Sequence, residues 1–306
     1  MNSGKINRVD MTSVLRTVQI NPLSSRANHR AFALGLGAMT MAMSLQIATT
    51  ASAQVLAEGP AAAPETKSAW IVTLGGSVEY GPSYAGSKHS SFSAMPSFDI
   101  RRLGEPAGYA SPDDSIDYSL LDFHGFEAGP VVGIRDGRSA SDDRHLNGLD
   151  KIQWGLDAGV FAQYWPVEDR LRLRAEGRQA LRAGDGFVAD LSIDWFQPIG
   201  DRLVFSAGPR LSLGNDAFMR RNFGISQQES TSNGLLPAFD AQGGIKSVGL
   251  TVAATYTISP AWSVQVYDRY DRLTADAADS PITSDIGSKN QNIIGFGINR
   301  SFQIGF

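Results

Sequence analysis

The C-terminal stretch constrains the fold of this chain most: Gln291-Asn-Ile-Ile-Gly-Phe-Gly-Ile-Asn-Arg-Ser-Phe-Gln-Ile-Gly-Phe306. Counted back in steps of two, Phe306, Ile304, Phe302, Ile298, Phe296 and Ile294 are apolar. Between them fall Gly305, Gln303, Ser301, Asn299, Gly297 and Gly295. A period of two predicts a strand with one oily face. Such a strand suits the edge of a soluble sandwich or the closing strand of a membrane barrel, and the rest of the chain separates the two.

The same alternation recurs upstream. Trp70, Val72, Leu74 and Val78 share one face of a first strand, and a second runs from about Phe92 to Arg101. Clear alternation resumes in Trp154–Tyr164, Leu171–Leu181, Ala189–Trp195, Leu203–Leu213, Val248–Tyr256 and Trp262–Val266. Short turns at 166–169, 198–201 and 259–261 sit beside aromatic residues. Opposite ends carry longer or glycine-rich loops at 136–150, 182–186, 214–244 and 273–290. Short periplasmic turns, longer outer loops and aromatic girdles mark transmembrane barrels. A soluble sandwich has no reason to collect its tryptophans at one rim.

The expected fold is therefore all-β, an antiparallel up-and-down transmembrane β-barrel in the Gram-negative outer membrane. Trp165, Trp195, Trp262, Phe302 and Phe306 form its expected periplasmic aromatic girdle. Both ends on the periplasmic side require an even strand number. Ten strands result if residues 115–135 form one long strand. Splitting that segment, and adding a strand near residues 235–242, gives the alternative of twelve.

Lys5, Arg8, Arg16, Arg26 and Arg30 precede an apolar stretch over 31–48, followed by Ala51-Ser52-Ala53. That is the pattern of a secretory signal peptide. The division is a signal peptide at 1–53, a disordered periplasmic lead-in at 54–68, and a barrel at 69–306. The formal net charge is −4, more negative once the basic leader is set aside, which makes nucleic acid an unsuitable partner. With no cysteine in the chain, disulfides, thiolate metal sites and a Cys nucleophile are excluded.

One hairpin reveals the interior. Arg172, Arg174, Glu176 and Arg178 alternate with leucines and small residues, and Asp190, Ser192 and Asp194 alternate with Leu191, Ile193 and Trp195. An arginine facing lipid at mid-bilayer costs about 2–4 kcal/mol, so Arg172, Arg174, Arg178, Asp190 and Asp194 form a lumen charge cluster. A hairpin centred on Gly184 would set Arg178 opposite Asp190 and Arg174 opposite Asp194. Such a lumen is either filled by its salt bridges or lines a selective polar passage. Arg300 falls on the apolar set of the closing strand, where it either snorkels to a headgroup or marks a bulge.

No catalytic constellation emerges. Past the leader the histidines are His89, His124 and His145, none with metal-ligand spacing. Asp142-Asp143-Arg144-His145 lies in an outer loop without the oriented nucleophile that catalysis needs. Gly295-Phe-Gly297 and Gly243-Gly244 precede no helix, so neither is a phosphate loop. Neither a cofactor nor a metal is expected.

Several segments carry a family resemblance: Tyr80-Gly-Pro-Ser-Tyr-Ala-Gly-Ser87, Met95-Pro-Ser-Phe98, Leu146-Asn-Gly-Leu149, Asn222-Phe-Gly-Ile-Ser226, Gly243-Gly-Ile-Lys246, Tyr270-Asp-Arg-Leu-Thr-Ala-Asp-Ala-Ala-Asp-Ser-Pro-Ile282 and Gly287-Ser-Lys-Asn-Gln291. Over residues 70–306 the chain resembles the MipA/OmpV family of outer-membrane proteins. Arg221 departs from the family pattern, which often has Tyr there. The motif loops place Tyr84, Gly86, Asp276, Asp279, Ser280 and Pro281 among the family's positions. The resemblance implies a non-enzymatic barrel that scaffolds a periplasmic murein hydrolase and a murein synthase. The barrel reading itself adds outer-membrane lipid and the barrel assembly machinery as expected partners. A small-solute transport barrel and a surface adhesin acting through the outer loops are the alternatives.

Overall fold

Strands dominate because side chains alternate between an apolar and a polar or small set. The computed structural model describes residues 69–105 and 107–305. The expected signal peptide, the lead-in and Phe306 lie outside the described residues. Ten strands are long: β1 (Ala69–Pro82), β2 (Ser90–Arg102), β5 (Phe126–Arg135), β6 (Gly155–Val167), β7 (Leu171–Ala180), β8 (Phe187–Ile199), β9 (Leu203–Gly214), β10 (Gly244–Ser259), β11 (Trp262–Leu273) and β12 (Asn290–Gly305). Two short pieces, β3 (Ile116–Asp117) and β4 (Leu121–Phe123), precede β5. Together they make one 12-stranded sheet in the order β2-β1-β12-β11-β10-β9-β8-β7-β6-β5-β3, with β4 also on β5.

The sheet curls into a nearly closed barrel. β12 pairs with β1 as the first and last strands of a barrel must, with Trp70 opposite Ile304 and Tyr80 opposite Ile294. That ladder leaves neither β1 nor β12 as a free edge. The seam lies elsewhere, between β2 and β3, where the described residues show no ladder.

The strand number corrects the expected ten to twelve. Residues 115–135 are split, as the twelve-strand alternative required, but residues 235–242 add no strand. They contribute only the isolated bridge Ile225–Phe239. Pro130 explains the split. It lacks an N–H, so the stretch between β3 and β4 meets β5 only through single bonds from Tyr118 N to Pro130 O (3.2 Å) and Leu120 N to Ala128 O (3.0 Å). Pro209 acts alike in β9, where the ladder to β8 lapses between Ser192–Arg210 and Trp195–Ala207.

Leu74, Val78, Leu191, Ile193, Val266, Ile294, Phe296 and Ile298 stand exposed on the outer face. In the outer membrane this apolar band meets lipid. Charged and small residues of the same strands face inward. The turns at one rim are short: 124–125, 168–170, 200–202 and 260–261.

At the other rim the long loops fold together into a cap. It holds α1 (Asp216–Phe223), α2 (Gln227–Asn233), α3 (Ala275–Asp279) and α4 (Pro281–Ser284), where the sequence suggested only polar loops. The helix signals are local. Asn215 caps α1 by accepting from Phe218 N. Ser226 and Glu229 form a full capping box on α2; an Ser-x-x-Glu pair of this kind is a readable helix start. α1 turns Phe218, Met219 and Phe223 inward.

Candidate functional site in the lumen and its cap

The β7–β8 hairpin builds the charged wall. Its closing pair is Gln179–Phe187, which sets Arg172 opposite Asp194, Arg174 opposite Ser192 and Glu176 opposite Asp190. The expected register, with Arg178 opposite Asp190 and Arg174 opposite Asp194, is therefore displaced. Gly184 and Gly186, at φ 89° and 79°, shape a turn centred one residue earlier than the Gly184-centred hairpin. The long arginines still reach their partners. Arg178 meets Asp190 diagonally, Arg172 donates to Asp194 at 2.8 Å, and Arg210 of β9 donates to Asp194 at 2.7 Å. Arg174 instead bonds Glu176 at 2.7 Å and Gln163 at 2.9 Å.

The segment between β2 and β3 is the part that sequence reasoning missed. Instead of bridging the rim, it runs inside the barrel. Arg172 grips Asp114 with two bonds of 2.6 and 2.9 Å. Arg210 grips Asp113 with two of 2.7 and 2.9 Å. Ser111 and Thr251 donate to the same Asp113 carboxylate at 2.8 and 3.0 Å. Arg178 bonds Ser115, and just past the segment Arg174 reaches Asp117 of β3 at 2.5 Å. Tyr109 stacks on Phe196 with centroids 5.5 Å apart. Paired, hydrogen-bonded carboxylates are how buried charge is tolerated. Turn-rich composition over 103–115 hid this, because aspartate in a loop ordinarily faces water.

Above the lumen, the cap has two apolar cores. One joins Phe218, Met219, Phe223 and Ala277 to Val188 and Leu273 of the wall. The other joins Tyr84, Leu146, Ile225, Leu236, Ile282 and Ile286. α1 covers the mouth: the Phe218 ring lies 4.7 Å from the Arg135 guanidinium and 5.6 Å from the Lys246 ammonium. Arg138 ties the 136–150 loop to α1 through Asn222 O at 2.5 Å.

The family profile described as MltA-interacting protein MipA matches residues 74–302. The chain belongs to this family. A comparison with curated protein sequences finds no match. Among solved structures, neisserial surface protein A is similar at 11% identity and TM-score 0.27, covering 76% of this chain and 99% of its own. An outer-membrane channel from Pseudomonas putida F1 is similar at 10% identity and TM-score 0.34, covering 81% of this chain and 100% of its own. The NanC porin is similar at 8% identity and TM-score 0.34, covering 75% and 98%.

The structure brings the family's two motif loops together. Tyr84 and Ile282 share one apolar core. Burial first, then the negative charge of Asp143, pushes the Tyr84 phenol up to about 12, so it stays neutral. Gly86 has φ 94°, and a Cβ there would lie 2.6 Å from Thr283 Oγ1. Its N–H donates to Gln291 at 3.0 Å. Ser280 is fully buried, donates to Phe223 O at 2.6 Å, and caps α4. Pro281 opens α4. Asp276 accepts from Gln242 N at 2.7 Å. Asp279 only meets Lys289 at 3.2 Å on the surface.

The aromatic rim divides. Trp195, Trp262 and Phe302 are exposed on the outer face. Trp165 is not part of that outward girdle. It shares parity with the buried Phe161 and Gln163, and its ring packs on Phe196 at 5.5 Å inside the short-turn rim. Arg300 is accounted for without a bulge: its ladders to β1 and β11 run in continuous register. Its guanidinium lies 5.1 Å from the Trp262 ring and 4.7 Å from Phe302, an arginine held among girdle aromatics.

Asp143 is buried beneath the cap surface, with His145 Nδ1 at 2.7 Å and His89 Nε2 at 3.5 Å. Among the described residues no serine hydroxyl bonds either imidazole, so no nucleophile completes the pair. Burial alone would raise the Asp143 pKa. Hydrogen bonds from the His145 backbone and ring, with the two imidazoles, hold it below the usual carboxylate value instead.

Proposed function

We propose that this chain is a closed, non-enzymatic outer-membrane anchor that gathers a murein-cleaving and a murein-synthesising enzyme at its periplasmic rim. The observation that carries this reading is the filled interior. Asp113 and Asp114 clasp Arg210 and Arg172 across the lumen, and α1 lies over the mouth. A barrel occupied by its own chain and salt bridges offers no bore, which favours display of a surface over passage of solute. The family description supplies the partner class, since it is named for interaction with MltA. In this reading β12, with its outward Phe302 and its ladder to β1, is the strand that the barrel assembly machinery receives.

Affinity capture tests the proposal. The purified barrel, immobilised in detergent micelles, retains a lytic transglycosylase of the MltA class from solubilised envelopes, and a heat-unfolded control does not. Equal recovery from both, or recovery of no murein enzyme, contradicts the scaffold.

A further inference from the structure

The luminal segment has a charge logic that a mere filler would not need. Five wall arginines converge on the interior: Arg172, Arg174 and Arg178 of β7, Arg210 of β9 and Arg269 of β11. Their wall carboxylate partners are Asp117, Glu176, Asp190, Asp194 and Asp271. Asp194 alone serves both Arg172 and Arg210. The segment's Asp113 and Asp114 supply the second carboxylates, on Arg210 and Arg172. Lys246 adds a half-buried wall cation near the mouth. Without the segment, Arg172 and Arg210 would have only Asp194 between them, leaving guanidinium edges open in the bidentate geometry that carboxylate and phosphate fit.

We infer that the arginine cluster is a binding path for small anions, and that residues 109–115 are its built-in counter-ion plug. The Asp113 and Asp114 carboxylates stand where a free carboxylate or phosphate would lie. The path is closed twice in series, by this plug in the lumen and by α1 of the cap at the mouth. The inference holds whether or not the barrel also scaffolds enzymes.

Planar-bilayer recording on the otherwise intact chain tests it with three changes. One replaces residues 109–114 by a Gly–Ser stretch of equal length. A second replaces residues 216–242 of the cap by a short Gly–Ser link. A third is Asp113→Asn with Asp114→Asn in the cap-less background. Cap removal alone is expected to leave the barrel silent. Removal of cap and plug together gives single-channel steps whose reversal potential in a potassium chloride gradient has the sign set by chloride. Inorganic phosphate then reduces the chloride current by occupying the arginines. The Asn pair in the cap-less background conducts intermittently, because the segment stays in place but loses its clasp.

Conduction by the cap-less barrel equal to that of the combined variant overturns the plug. Cation-selective steps, or current indifferent to phosphate, overturn the anion path. Heat-modifiable migration confirms that each variant is a folded barrel. If the Gly–Ser plug variant fails to fold, the Asn pair decides, and a folded, silent Asn pair overturns the inference.

Discussion

The cap and the lumen are built by opposite rules. The cap has an apolar interior of Phe218, Met219, Phe223, Ile225 and Ile282, as a small water-soluble domain would. The lumen, at membrane depth, has an interior of arginines and carboxylates, with Arg172 and Asp194 each 1% exposed. The reason is solvent. Above the membrane the hydrophobic effect drives leucine, phenylalanine and isoleucine inward. Within it, lipid takes the apolar face and the polar face has only itself to satisfy. The cap should therefore fail by losing packing, and the lumen by losing pairing.

The sharpest way to break this contrast is at Arg172. Arg172→Met removes one partner and leaves Asp114 and Asp194 buried without it. Breaking a buried pair on one side costs about 3–5 kcal/mol. The urea midpoint of barrel unfolding, followed by heat-modifiable migration, should fall markedly. A midpoint equal to wild type would mean that water already reaches the lumen.

In the cap, Ile282→Ala creates a cavity in a fully buried position, at a cost of about 2–5 kcal/mol. Here the loss should be local. Protease nicking of residues 215–243 and 274–289 rises while the barrel's gel shift stays. A lowered barrel midpoint with intact loops would show that cap and wall unfold as one.

A smaller effect is expected at Gly86→Ala. At φ 94°, with its Cβ direction blocked by Thr283, a side chain costs about 1–2 kcal/mol from backbone strain alone. Loop protection between 83–89 and 274–289 should weaken. Weaker again is Arg300→Leu, which forfeits a rim cation–π contact of about 0.5–1 kcal/mol and should shift the barrel midpoint only slightly.

The smallest effect is one of pH. The folded Asp143 carboxyl has a lowered pKa, so its contribution to the cap is fully present above the unfolded carboxylate value of about 4. It is lost as pH falls through the lower folded value. Loop protection from acid-active protease should drop over that range in wild type, and Asp143→Asn should remove the dependence.

The sequence disclosed the two regions unequally. The wall was legible because alternation in β6 to β12 is a one-dimensional signal. The same alternation showed that the arginines of β7 face inward, since lipid forbids the other choice. The exact pairings were not legible, because two left-handed glycines in the 181–186 turn set the register. The luminal course of 107–115 left no periodic trace, and its aspartates find arginines far away in sequence. The cap helices did leave a trace in Ser226 and Glu229, but their long loops read as polar because the apolar residues are few and spaced for helices of under three turns. The motif loops around Tyr84 and Ser280 were visible as resemblance, while their packing against one another was not.

Wild-type protein reconstituted into planar bilayers shows whether this barrel is sealed by its own chain. A sealed barrel leaves the membrane silent while the same protein shows the folded gel shift. Reproducible single-channel steps from that same folded protein would contradict it.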